Sequence, residues 1–264
     1  MDLQLKGKRA FISGSTAGIG FATALALINE GVHVTINGRS KASVDTAIAR
    51  LKKATNKHHI GGIAADFSVV SEIEHLFSTI EPPDILINNV GIYKAGSFYD
   101  MSDADWQGQF EINVMSGVRL SRFYLPKMLS RNTGRIIFVS SECAELAPPD
   151  MLAYSVSKAA MLALSKGLSQ LTKGTAVTVN TIVPGSTLSE GAERFLENEA
   201  AKSKKTKEAV EAEFFKEVRT SSLLQRFASV DEVASTITYY CSPLTAATNG
   251  AAIRVDGGSM GGLL

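Results

Sequence analysis

Cysteine is scarce. Only Cys143 and Cys241 occur in 264 residues, too few for a disulfide framework. No Cys/His spacing resembles a metal site, and the adjacent His58 and His59 would point to opposite faces of a strand, so neither is assigned a metal. Long apolar runs are missing as well. No window approaches the roughly 18 uninterrupted apolar residues of a membrane span, and the start, MDLQLKGKRAFISG, lacks the apolar stretch of a secretory signal. A soluble, cytoplasmic protein without a membrane partner is the expectation. Charge of either sign is not in excess. Lys+Arg 27 against Asp+Glu 26 gives a formal +1, which supplies no reason to expect nucleic acid as a partner and leaves a small molecule as the default ligand. Pro/Gly/Ser-rich linkers and internal repeats are absent too, so residues 1–264 read as one domain, interrupted by an insertion at about 186–228.

What is present is a rhythm. The β-rich runs RAFIS, VHVTI, HHIGGI, DILIN, GRIIFVS, AVTVNTIV and AAIRV alternate with stretches of three-to-four-residue apolar spacing. Seven strand candidates separated by helices predict an α/β fold with a parallel sheet covered on both faces. With 45% apolar residues, the chain can fill such a core.

The first strand runs into FISGSTAGIGFATALALINEG, where Gly14, Gly18 and Gly20 precede a helix closed by Gly31. Glycines here allow a tight turn and a close backbone approach to a pyrophosphate, which the positive end of the helix attracts. The spacing is G-x-x-x-G-x-G, with the strand before and the helix after that a dinucleotide fingerprint requires. The second strand ends VTINGRSK, without the acid that would grip the ribose 2′-hydroxyl of NAD. Gly38 leaves room there, and Arg39 offers a planar guanidinium to a phosphate, with Ser40 and Lys41 beside it, so NADP(H) is preferred and NAD(H) stays possible. Asp66, in AADFS, could accept from the adenine amino group or cap the next helix.

These motifs, with NNVG at 88–91, Asn113, Ser141, YSVSK at 154–158, VPG at 183–185 and VDGG at 255–258, resemble a classical short-chain dehydrogenase/reductase over essentially the full length. The resemblance implies a Rossmann-like, doubly wound parallel sheet of about seven strands and a hydride transfer between nicotinamide and a carbonyl or alcohol carbon. It implies the catalytic set Asn113, Ser141, Tyr154 and Lys158. It also implies cofactor contacts at Gly14, Ser15, Thr16, Gly18, Ile19, Gly20, Arg39, Ser40, Asp66, Phe67, Asn88, Gly91, Tyr154, Lys158, Pro184, Gly185 and Ser189. Ser189 stands where the family usually has a threonine, and Asn89 is assigned a structural part. A free tyrosine, with a pKa of about 10, is nearly inert at neutral pH. Lys158, one helical turn on, is expected to lower the Tyr154 pKa together with the oxidised nicotinamide. Ser141 is preferred to Ser140 for its thirteen-residue offset from Tyr154, and Asn113 resembles the asparagine that holds a water linking the lysine to solvent. A regulator that binds the cofactor without chemistry is the rival reading, which the intact catalytic set disfavours.

A substrate would be bounded by ECAELAPPDM, GIYKAGSF and the insertion, with Cys143, Glu145, Met151, Tyr93 and Leu188 as lining candidates. Ketoacyl thioesters, steroid-like ketones and sugar-derived ketones all remain open. Trp106 is expected to pack in the core or a helix interface. The run Lys202–Lys207 with Glu208, Glu211 and Glu213 reads as a solvated helix with i,i+4 pairs. Helices at about 102–130 and 153–173 carry apolar residues on more than one face, among them Val114, Leu120, Phe123, Leu125, Met161, Leu162, Leu164 and Leu168. That excess, and the family habit, predict a homotetramer, with a dimer as fallback.

Overall fold

A computed structural model describes residues 1–55 and 59–262, so His58 lies outside the described residues. In chain order the elements are β1 (Arg9–Ile12), α1 (Gly18–Asn29), β2 (His33–Gly38), α2 (Lys41–Thr55), β3 (Ile60–Ala64), α3 (Val70–Thr79) and β4 (Ile85–Asn88). Then come α4 (Asp103–Phe110), α5 (Ser116–Ser130), β5 (Gly134–Val139), α6 (Cys143–Leu146), α7 (Leu152–Gln170) and β6 (Val177–Pro184). The last are β7 (Thr187–Leu188), α8 (Glu190–Ser203), α9 (Lys207–Glu217), β8 (Ala228–Ser229), α10 (Val230–Tyr240) and β9 (Ala252–Val255). Each of the seven β-rich runs supplies a strand of the main sheet, whose order is β3-β2-β1-β4-β5-β6-β9 with every pairing parallel. The chain therefore builds a Rossmann-like α/β fold.

Alternation along the buried strands divides the core in two. Ala10 and Ile12 of β1, and Ile137 and Val139 of β5, face one layer with Ala24, Leu27, Val233 and Ile237 of α1 and α10. Phe11, Ile136 and Phe138 face the other, against Leu120, Tyr124 and Met128 of α5 and Met161 of α7. Strand order reverses between β1 and β4, and the crevice past the carboxyl ends of those strands is the ligand position of such sheets.

The helices at 102–130 and 153–173 find most of their partners inside the chain. Val114, Leu120, Leu125 and Met161 are buried, and Phe123, Leu164 and Leu168 pack against the same cluster, so these residues do not of themselves call for a second subunit. Apolar groups left outside are Phe110, Val156 and Leu171, and the first two border a shallow groove with Trp106. Trp106 meets Phe98 edge to face with centroids 6.3 Å apart. The lysine run departs in part from its expected pairing: Lys202 pairs with Glu199 within α8 at i,i+3, but Lys205, in the turn, reaches Glu213 of α9 and Lys207 of α9 reaches Glu197 of α8. Among the described residues no helix is long and apolar enough to cross a membrane.

Candidate active site

The glycine-rich loop turns directly off β1. Gly14 has φ +60, and a Cβ there would lie 2.8 Å from Val90 Cα, so the β1 and β4 ends approach as only glycine permits. Two polar residues fix the turn. Ser13 Oγ accepts from the N–H groups of Asn89 and Val90, and Asn37 Oδ1 accepts from the Gly14 N–H at 3.0 Å. Ser15 spends its hydroxyl on the Ile12 carbonyl and the Asn37 N–H, and Ile19 packs on the core; neither side chain is offered to a ligand. Helix α1 has Ala17 at its N-cap, so it lacks a side-chain cap, and it has no acid in its first turn, the condition that suits an anion. Glu190 of α8 reaches the same end, its Oε2 accepting from the Gly18 N–H at 2.7 Å.

A cleft of ≈ 480 Å³ opens beside the loop, lined by Gly14, Thr16, Gly38, Arg39, Asp66, Phe67, Asn89 and Gly91 among others. Arg39 stands exposed at its edge, and Ser40 caps α2 through Ser43. Asp66 accepts from the Ser68 N–H and hydroxyl, which, with the Arg39 charge, hold its carboxyl below the usual range. It thus closes a turn and leaves Val69 as the cap of α3. Asn89 plays the structural part expected of it, while Asn88 is not the one of the pair that lines the cleft. Asn88 is buried and donates to Ser121, whereas Asn89 lines the cleft and donates to the Ser13 and Gly14 carbonyls. Successive residues leaving a strand point to opposite sides.

Glycine is also required at Gly20. A Cβ there would sit 2.5 Å from Asn89 Nδ2, 2.7 Å from the Gly14 carbonyl oxygen and 2.9 Å from Ser15 Cα. Gly20→Ala is expected to lower stability by about 1–3 kcal/mol and to weaken cofactor binding with it. Thermal unfolding and a fluorescence titration with NADPH check this; unchanged values in both would show that the loop can move aside.

Behind Gly91 of the cleft wall, α7 carries Tyr154 and Lys158 one turn apart. Lys158 is buried, donates from Nζ to the Val139 carbonyl at 2.9 Å, and lies 5.6 Å from the Tyr154 ring centroid. Gly91 makes room for it, since a Cβ there would meet Nζ at 3.3 Å. Ser141 Oγ accepts from the Cys143 N–H at 3.2 Å and stands close enough to the Tyr154 phenol to favour its anion. Ser140, the rival, is buried with its hydroxyl on the Lys158 carbonyl at 2.8 Å. Tyr93 presents its ring edge-on to Tyr154, with centroids 6.1 Å apart.

Burial sets both ionisations. It pushes the Tyr154 phenol well above its ordinary value despite the nearby Ser141 hydroxyl, and it lowers the Lys158 amine to about 8. The phenol of the protein alone therefore moves opposite to the direction expected from the lysine charge, because desolvation outweighs attraction at a buried site. Asn113 sits in a π turn, Glu111–Met115, between α4 and α5. Its amide donates to the Ile92 carbonyl and Ser157 Oγ, and its Oδ1 accepts from the Ile92 N–H. Every hydrogen-bonding group of that side chain but one lone pair is thus committed to holding the β4 loop against α7.

Pro184 ends β6, and Gly185 packs so close to Asp256 that a Cβ would lie 2.7 Å from its backbone. Ser189 caps α8, accepting from the Ala192 N–H, and keeps its own proton to donate. Of the lining candidates, Cys143 is buried, Leu188 and Tyr93 are exposed, and Glu145 pairs with Arg254. Sequence reasoning misses Ser13, Asn37 and Glu142. The available signal for Asn37 and Glu142 is a polar or charged residue within or just after a run that is otherwise apolar.

The comparisons with known proteins agree with this geometry. A family model described as short chain dehydrogenase matches residues 8–200. The chain is 42% identical to the uncharacterized oxidoreductases YvrD and YvaG of Bacillus subtilis (strain 168), over 98% of this chain and 98% of each of them. The L-sorbose reductase of Gluconobacter frateurii, solved with NADPH and L-sorbose, superposes with a TM-score of 0.92 at 29% identity, covering 100% of both chains. Fold, cleft and kinship together make this chain a member of the short-chain dehydrogenase family, an oxidoreductase of CH–OH and C=O groups.

Proposed function

We propose that the protein is an NADP(H)-dependent reductase of small ketones, with Tyr154 as proton donor. The observation that carries this reading is the buried Lys158, held by the Val139 carbonyl one helical turn from Tyr154 and lying against Gly91 of the cleft wall. NADPH would be held by Gly14, Thr16, Gly18 and Gly20 at its phosphates and by Arg39 at the 2′-phosphate, and it would supply the hydride to the carbonyl carbon. Ser141 donates a hydrogen bond to the carbonyl oxygen and polarises it. Tyr154 gives its proton to that oxygen as the oxygen takes up the electron pair of the broken π bond, and Lys158 stabilises the phenolate left behind. Asn113 keeps the β4 loop and α7 in register around the lysine.

A sugar-derived ketone is the substrate class to try first, supported by the likeness to a reductase solved with L-sorbose. A homotetramer formed through α4, α5 and α7 is proposed as the assembly, with the uncovered Phe110 and Val156 as contacts. The cofactor is tested by measuring NADPH and NADH affinities before and after Arg39→Ala. Loss of charge-assisted hydrogen bonds worth about 1.5–3 kcal/mol is expected to weaken NADPH by roughly 10–100-fold and leave NADH within about two-fold. An unchanged preference would assign the 2′-phosphate to another group.

A further inference from the structure

Glu142 follows the catalytic serine and is buried with only 2% of its surface exposed. Its N–H donates to the Pro184 carbonyl at 2.8 Å. Its Oε1 accepts two hydrogen bonds of 3.0 Å, one from Ser186 Oγ and one from Arg219 Nε. Ser186 is the first residue of the 186–228 segment after the Gly185 turn, and Arg219 lies just beyond α9, with its N–H on the Phe214 carbonyl. Two distant points of that segment thus converge on one oxygen beside Ser141. The other oxygen, Oε2, is buried and has no partner among the described residues.

Packing alone does not account for a carboxylate here. A buried ion pair is costly to desolvate, and apolar residues of similar volume commonly hold two segments together as well or better. What a charge does, and an apolar pair does not, is act on its neighbours. The groups facing Tyr154 are Tyr93 from the β4–α4 loop, Glu142 and Cys143 after β5, Lys158 on its own helix, and Arg219 behind Glu142 and Cys143.

We propose that Glu142 is a positioning residue whose carboxylate clasps the 186–228 segment against the catalytic serine and, through its pairing with Arg219, couples docking of that segment to proton transfer at Tyr154. This rests on the reading of Tyr154 as proton donor. With the clasp closed, the guanidinium balances the carboxylate. With Arg219 withdrawn, an uncompensated negative charge is left one residue from Ser141, near the phenol, and disfavours its anion. The segment would then control the chemistry as well as cover it.

The test compares the full-length wild type with Glu142→Gln, Arg219→Gln, Arg219→Lys and the Glu142→Gln/Arg219→Gln double variant. In alcohol oxidation with NADP⁺, the rising limb of the pH profile is expected to shift to lower pH in Glu142→Gln and to higher pH in Arg219→Gln, by roughly half a unit or more. The double variant should fall between them, and Arg219→Lys should stay near wild type. Limited proteolysis of the cofactor-free protein at 189–218 should be faster in both glutamine single variants, by on the order of ten-fold. Limbs that move in the same direction, or not at all, would overturn the coupling, and unchanged proteolysis would overturn the clasp. Should Tyr154→Phe retain activity while the proteolysis result holds, the clasp stands and the proton-donor reading fails.

Discussion

Tyr154→Phe is expected to slow ketone-dependent oxidation of NADPH by about 10²–10⁴-fold, the usual contribution of a positioned acid, while NADPH binding stays within about two-fold. The substitution removes one oxygen from a half-buried ring and leaves the edge-on contact with Tyr93 in place, so folding is not in question. Losing the phenol leaves the serine hydroxyl able to polarise a carbonyl but nothing able to protonate it. The assay follows NADPH absorbance with a panel of ketoses and simpler ketones. Equal rates for the two proteins would take Tyr154 out of the mechanism.

Lys158→Met should separate activity from stability. The residue is 3% exposed and its pKa is lowered to about 8 from 10.5 by burial. Below about pH 8 the ammonium is charged in both folded and unfolded chains, and its desolvation penalty is carried in full. As pH rises from about 8 toward 10.5 the folded chain loses its proton first, and the penalty fades. Two and a half pKa units correspond to about 3 kcal/mol, part of which the lost bond to Val139 offsets. At neutral pH the variant should therefore unfold several degrees higher than wild type, by about 2–4 °C per kcal/mol retained, and the gap should close as pH approaches 10. Carbonyl reduction should fall by roughly 10²-fold or more, because the phenolate loses its neighbouring cation. A variant that is less stable than wild type at pH 7 would mean that Lys158 serves packing before chemistry. Such an exchange of stability for activity is usual where a site holds a strained or unfavourably buried group.

Much of the fold is legible in the residues. All seven β-rich runs become strands of the main sheet; the central β4, β5 and β6 are buried along their whole length and so need near-continuous apolar sequence, and the intervening helices announce themselves by period. The glycine loop is equally plain, since close approach to β4 leaves no space for a Cβ at Gly14. Other features depend on direction, which spacing does not encode. Asn88 and Asn89 are adjacent and identical, and only the twist of the chain leaving β4 decides which one faces the cleft. The apolar excess of α5 and α7 reads as an oligomer surface until the sheet is in place to absorb it. Glu142 and Arg219 are separated by 76 intervening residues in sequence yet share a bond, and a pairing of that range leaves no local trace. The Tyr154 ionisation is the clearest case. Helical spacing places the ammonium beside the phenol, but burial, which sets the sign in the protein alone, belongs to the assembled fold.

The most direct measurement is the tyrosinate absorbance of Tyr154, taken as the difference between each protein and its Tyr154→Phe counterpart, titrated with NADP⁺ bound. With Lys158 present the ionisation should fall at least about one unit below that of Lys158→Met, since an opposite charge at this range favours the phenolate by that order. Identical midpoints in the two proteins would contradict the claim that the lysine makes the tyrosine a working acid and base.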